Sequence, residues 1–134
     1  TEDTFTYFYA KSENYICDDY EVIKHAILSK KFKTANILFK TFIPSNDNLN
    51  DIESKIIEVN DIDIIEYIFT HFNIDVYKSD SLLLRKVIIA ENKNLTKYLF
   101  NNYTFDNYEL KNKLKKMLVI LDDEEFAKYI KSNI

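Results

Sequence analysis

The sequence predicts an all-α fold in which helix-turn-helix pairs stack side by side. The first observation is residues 60–72, NDIDIIEYIFTHF, whose apolar side chains have the spacing of one buried helical face. The second is that similar segments recur at nearly equal intervals, as in helical repeats. The intervals are 30, 31 and 31 residues, counted between Leu38, Ile68, Leu99 and Ile130. Stacking is expected because one helix pair alone cannot bury both of its faces.

The first predicted pair consists of helices at about 18–29 and 32–42. Asp18 or Asp19 suits the N-cap of the first helix, because a short acidic side chain accepts hydrogen bonds from its free N–H groups. Pro44 disfavours helix at the residue before it, so we expect the second helix to end there or earlier. A loop should follow over residues 43–48.

Three further pairs follow along the chain. Their predicted helices are 49–59, 61–72, 81–91, 94–103, 108–121 and 123–134. Asp80 is the cap candidate for the third pair, and the segment LLLRKVIIA at 82–90 is apolar nearly all round. We therefore expect that segment to occupy the most buried position. The acidic run 122–125 falls at the start of the last helix, where the macrodipole favours negative charge.

The chain divides into an N-terminal capping segment, residues 1–17, and four repeats. The repeat boundaries are 18–48, 49–79, 80–106 and 107–134. The capping segment carries five aromatic residues, and we expect it to form a helix that covers the apolar end of the first repeat. The alternative is that these aromatic side chains form a peptide-binding surface.

The second helices resemble the second helix of ankyrin repeats. Residues 60–68, NDIDIIEYI, are similar to that family's N-G-x-L-E-I-V-x-Y-L pattern, and residues 97–99 and 128–130 repeat its end. The resemblance covers about residues 18–134 and implies an ankyrin-like α-solenoid of about four repeats that binds proteins. The family's T-P-L-H motif and glycines are absent, so we expect short or absent hairpin fingers. Degenerate repeats of this kind resemble those of poxviruses and AT-rich parasites.

Composition and charge limit the partners and the location. The net charge of -4 makes nucleic acid an unlikely main partner. No apolar run approaches the ~20 residues of a membrane span, so we expect no membrane partner. The lone Cys17 suits a reducing compartment. We therefore expect an intracellular, cytoplasmic protein, in the host cytoplasm if the source is a virus or parasite.

The sequence carries no recognisable catalytic or metal-binding motif, so we expect no enzymatic activity and no cofactor. Phosphate-binding loops and nucleophile elbows need glycine, and the chain has none. Cys17 and His25 are too few for a metal site, which needs about four ligands. His71, Asp61 and Asp63 are predicted to lie at helix ends, where their charges suit the helix dipole.

We expect a non-enzymatic protein–protein interaction module that is a monomer or a weak oligomer. The first helices of the pairs differ most from one another, and such variation on a common stack can set specificity. The candidate partner-binding residues on these helices are Lys24, Glu53, Arg85 and Lys86. The alternative is a helical bundle resembling viral Bcl-2-like proteins, with 82–90 as its buried central helix. Such a bundle would bind an amphipathic helix in a groove.

Overall fold

A computed structural model describes residues 18–134, so the predicted capping segment 1–17 lies outside the described residues. Within 18–134 every regular element is helical, which confirms the all-α class. The eight α-helices are α1 Asp19–Leu28, α2 Phe32–Leu38, α3 Asn46–Ile56, α4 Ile62–His71, α5 Lys78–Ile89, α6 Lys93–Asn102, α7 Tyr108–Met117 and α8 Glu124–Ser132. A short 3-10 helix, Leu118–Ile120, follows α7.

Most helix starts follow from capping side chains that the sequence shows. Asp18 accepts a hydrogen bond from the backbone N–H of Tyr20 and begins α1, as predicted. Asp61 begins α4 by accepting from the N–H groups of Asp63 and Ile64. The same function is performed by Asn92 for α6, Asn107 for α7 and Asp123 for α8. The predicted placement of the acidic run 122–125 at the start of the last helix is therefore confirmed.

Two predicted boundaries in the first half of the chain are wrong. The helix α2 ends at Leu38, four residues before the predicted bound of 42, although this agrees with the expectation that it ends at residue 43 or earlier. The helix α3 begins at Asn46, inside the predicted loop. Ser45 and Asn48 form a reciprocal capping box there, in which each side chain bonds to the other residue's backbone N–H.

The start of α5 differs most from the prediction. Asp80 is not a cap: it lies inside α5, within residues 79–81, which all have left-handed backbone angles. We call residues 79–81 the left-handed segment. The guanidinium of Arg85 donates to the carbonyl oxygens of Ser79 and Asp80, at 2.8 and 3.2 Å. Arg85 thus provides a hydrogen-bond donor for two carbonyl groups of the left-handed segment.

The core is formed by the predicted apolar faces. Ile65 and Ile68 of α4 are completely buried, whereas Glu66 between them is exposed. The helix α4 contacts both α1 and α6, and α5 contacts α6 and α7. The segment 82–90 is not enclosed on all sides as expected, because Leu82 is 36% exposed and Ile89 56% exposed.

We call the turns that join α1 to α2, α3 to α4, α5 to α6 and α7 to α8 the inner turns. Two of these four turns contain a non-glycine residue in the left-handed conformation that glycine usually adopts. Lys30 has a φ of 60° and Glu91 a φ of 54°. Each turn has the Schellman hydrogen bonds, in which Lys31 N–H bonds to Ala26 O and Asn92 N–H to Val87 O. The ordinary residues therefore adopt the backbone that glycine favours, at a conformational cost.

We expect Lys30→Gly to be more stable than Lys30→Ala by about 1 kcal/mol, because only alanine has a Cβ that clashes in the left-handed region. Both variants lose the ammonium group equally, so the comparison isolates the backbone effect. Urea unfolding followed by circular dichroism measures the difference. A Lys30→Ala variant that is at least as stable would show that this turn is not left-handed in solution.

Polar side chains connect successive inner turns. The Lys30 ammonium lies 3.0 Å from the Asp61 carboxylate and 3.2 Å from that of Asp63. The Glu91 carboxylate accepts hydrogen bonds from the N–H groups of Asp122 and Asp123. Asp61 and Asp63 therefore lie at a helix start, as predicted. Their ion pairs with Lys30 also connect this inner turn to the preceding one.

Asn92 makes the most buried of these connections. The residue as a whole is only 4% exposed. Its side-chain amide donates to the carbonyl oxygens of Ile57 and Val59 at 2.9 and 2.7 Å. Its side-chain oxygen accepts from the N–H of Leu95, which caps α6. One asparagine thus starts its own helix and satisfies the free carbonyls at the end of α3.

Candidate functional site

A concave surface lies between α3 and α5, which are first helices of neighbouring predicted pairs. It contains two adjoining cavities of about 240 and 400 Å³, which share four lining residues. The shared residues are Asn50, Glu53, Asp75 and Lys78. We call this continuous surface the α3–α5 groove.

The α3–α5 groove combines charge with an apolar wall. Ile57, Leu82 and Leu83 supply the apolar part of the smaller cavity. The exposed ammonium groups belong to Lys78 and Lys86, and the carboxylates to Glu53 and Asp75. In the described structure none of the four charged side chains forms an ion pair within the chain. Asp75 accepts a hydrogen bond from the backbone N–H of Tyr77, so Glu53, Lys78 and Lys86 are the charged groups available to a partner.

The structure brings two of the four predicted binding residues together. Glu53 and Lys86 line the same cavity of the α3–α5 groove, from opposite helices. Arg85 is held instead by the carbonyl groups of the left-handed segment. Lys24 lies on α1 and contacts acidic side chains of its own chain. Lys24 and Arg85 thus have intramolecular partners that their sequence positions did not reveal.

Lys24 belongs to a cluster that connects α1 to α3. The Tyr20 hydroxyl donates to the Asp51 carboxylate at 2.6 Å, and the Lys24 ammonium lies 3.1 Å from the same carboxylate oxygen. The hydrogen bond from Tyr20, together with Lys24, holds the pKa of Asp51 below its ordinary value of 3.8, against the opposing effect of burial. Burial, reinforced by the Asp51 carboxylate, raises the pKa of Tyr20. The cluster is therefore ionised at Asp51 and neutral at Tyr20 at neutral pH.

Because the pKa of Asp51 is lowered on folding, its ionised form stabilises the fold above the ordinary pKa, and this contribution is lost as the pH falls through the lowered value. We expect Asp51→Asn to lower the urea midpoint at neutral pH. The difference in urea midpoint between this variant and the natural chain should narrow as the pH falls below 3.8 and through the lowered pKa of Asp51. A gap that is constant with pH would contradict the lowered pKa.

The sequence reasoning missed several groove residues. Asp75 and Lys78 lie outside the predicted helices, and Leu82 belongs to the segment expected to be most buried, yet all three line the groove. The sequence does contain a sign that Leu82 is accessible. Leu82 and Ile89 are seven positions apart and therefore fall on one face of the same helix. Both are exposed, so that face of α5 presents accessible apolar side chains on either side of Lys86.

The remaining candidate side chains have structural surroundings. His71 lies in the last turn of α4, as predicted, and its ring stacks on Tyr67 with centroids 3.9 Å apart. Over residues 18–134, no group of three or more His, Cys, Asp or Glu side chains is arranged to hold a metal ion. Over the same residues, no helix is both long and apolar enough to cross a membrane. Lys113 of α7 forms an ion pair with Asp80.

Comparisons of the chain with protein-family models, with curated proteins and with solved structures give no match.

Proposed function

We propose that the chain is a non-enzymatic protein–protein interaction module that holds a peptide segment of its partner in the α3–α5 groove. The observation that carries this proposal is the lining of the groove, where apolar side chains lie beside two cations and two carboxylates without internal ion pairs. Such a surface suits a segment that presents an apolar side chain flanked by charges of both signs.

The shape of the groove suits a peptide segment. The smaller cavity holds about 240 Å³. It adjoins a second cavity of about 400 Å³, which extends along α3 and the segment before α5. An elongated, shallow site with an apolar wall can hold successive side chains of one segment.

The architecture in which we place this groove is an ankyrin-like stack of about four repeats. In support, polar side chains of the described residues join positions 31 to 35 apart at the inner turns, close to one predicted period. The second helices α4 and α6 contact each other, as stacked repeats require. The exposed side of α5 at Leu82 and Ile89 weighs against a bundle with a central 82–90 helix. The resemblance to degenerate viral and parasite repeats suggests an intracellular host–pathogen setting.

Selection from a displayed peptide library tests the groove directly. We expect the natural chain to enrich peptides with an apolar residue flanked by acidic and basic residues. The double variant Glu53→Lys with Lys86→Glu reverses one charge on each wall of the groove and keeps the net charge unchanged. It should weaken binding of those peptides by about tenfold or more, measured by fluorescence anisotropy.

The matched control reverses charges on second helices. Lys33→Glu with Glu66→Lys changes two exposed side chains on α2 and α4 and also keeps the net charge unchanged. It should bind the selected peptides like the natural chain. If the control and the groove variant lose binding equally, or if neither does, the groove is not the site.

A further inference from the structure

The left-handed segment lies between the α3–α5 groove and a further cavity. Ser79 lines the groove, whereas Asp80 and Ser81 line a cavity of about 160 Å³ between α5 and α7. All three residues have a φ of 55° or 56°. None of them is glycine, and a Cβ disfavours this conformation. Residues in such a conformation persist only where their surroundings hold them, and they concentrate at ligand sites and switch regions.

Contacts from outside the left-handed segment hold it in this conformation. The Arg85 guanidinium donates to the carbonyl oxygens of Ser79 and Asp80. The Lys113 ammonium, on α7, lies 3.3 Å from the Asp80 carboxylate. Arg85 is not among the described residues that line the groove or the cavity between α5 and α7. Arg85 therefore supports a wall of the groove without being part of it.

The local sequence also suits a right-handed start for α5. Ser79, Asp80 and Ser81 all belong to the residue types that cap right-handed helices, and an apolar run follows them directly. Left-handed and right-handed residues turn the chain in opposite senses. Conversion of the left-handed segment would therefore redirect the chain before it and move Lys78 and Ser79 from their places in the groove lining. The shape of the groove thus depends on the left-handed conformation.

We propose that the left-handed segment is a two-state switch and that Arg85 is the positioning residue that keeps it in the state that binds peptide. This inference rests on the proposed function of the groove. In the left-handed state Lys78 and Ser79 complete the groove, whereas in the right-handed state they are displaced and the peptide binds weakly. The apparent affinity then follows the fraction of chains in the left-handed state. A change at Arg85 therefore alters binding without removing a contact to the peptide.

Arg85→Ala tests the switch in the full chain. We expect it to weaken binding of the peptides selected on the natural chain by about tenfold, measured by fluorescence anisotropy. In the same variant without peptide, NMR coupling constants that distinguish positive from negative φ should show a change of sign at residues 79–81. Lys33→Ala removes one exposed positive charge from α2 and should change neither quantity. Circular dichroism confirms that each variant is folded.

A second substitution separates the switch from a direct effect of the Arg85 charge. Ser81→Gly favours the left-handed conformation because glycine has no Cβ, and Ser81 is not among the described residues that line the groove. Added to Arg85→Ala, it should restore positive φ and strengthen peptide binding by about threefold or more. Ser81→Ala removes the same hydroxyl group but keeps a Cβ, so it should restore neither.

Negative φ values at residues 79–81 in the natural chain would overturn the switch. So would an Arg85→Ala chain that keeps positive φ, an Arg85→Ala chain that loses positive φ and binds peptide normally, or equal rescue by Ser81→Gly and Ser81→Ala. The φ measurement needs no peptide, so the two proposals can fail separately. If the natural chain selects no peptide although Arg85→Ala changes the sign of φ, the proposed function fails and the two-state switch stands.

Discussion

Replacing Ile68 by aspartate is expected to unfold the described helices at ambient temperature. Ile68 is completely buried in α4, which contacts both α1 and α6. A carboxylate at this position would lack a partner, and burying an unpaired charge costs several kcal/mol or more, against a total stability of about 5–15 kcal/mol. Loss of the helical circular dichroism signal without added denaturant is the expected result.

The control for this substitution lies two positions away on the same helix. Glu66 is exposed, so Glu66→Ala should change the free energy of unfolding by no more than about 0.5 kcal/mol. Similar urea midpoints for the Ile68 and Glu66 variants would show that the orientation of α4 is wrong.

Asn92→Ala is expected to destabilise the fold by about 2–4 kcal/mol. The substitution removes the N-cap of α6, which contributes about 1 kcal/mol. It also leaves the carbonyl groups of Ile57 and Val59 without the buried amide that donates to both, and each unsatisfied group costs about 1–3 kcal/mol. We expect the total loss of stability to be smaller than the sum of these terms, because water can enter and bond to the carbonyl groups that Asn92 leaves.

Asn107→Ala provides the matched comparison, because Asn107 caps α7 through the same kind of hydrogen bond to the N–H of Leu110. Asn107 is exposed, and within the described residues its side chain makes no hydrogen bond to another helix like those that join Asn92 to α3. Its replacement should cost only about 1 kcal/mol, measured by urea unfolding. Equal losses at the two positions would show that the bonds from Asn92 to α3 contribute nothing.

The helices could be predicted because their signals are local. The apolar spacing of Ile64, Ile65 and Ile68 fixes the buried face of α4, and Asp61 fixes its start. The start of α5 could not be predicted in this way. A short acidic residue before an apolar run normally indicates a cap, but Asp80 lies in a left-handed segment whose carbonyl groups bond to Arg85. That arrangement depends on a side chain five residues further along the helix.

The groove residues were only partly predictable from the sequence. The groove forms where two helices lie side by side, and the sequence does not show which helices do so. Glu53 and Lys86 were identified individually as polar variation on first helices, and the packing of α3 near α5 brings them to one cavity. Lys24 was selected by the same criterion but bonds to Asp51, twenty-seven residues away. Charge in the sequence shows that a side chain can interact, whereas only the folded chain shows whether the interaction is internal.

The hydrogen bonds between the inner turns have a consequence for how fast the chain folds. They join residues 31 to 35 positions apart, so each closes a loop of only about thirty residues. The entropy lost on closing a loop rises with its length, and none of these bonds must wait for the two ends of the chain to meet. Contacts over such short sequence separations should make folding rapid for a chain of this length.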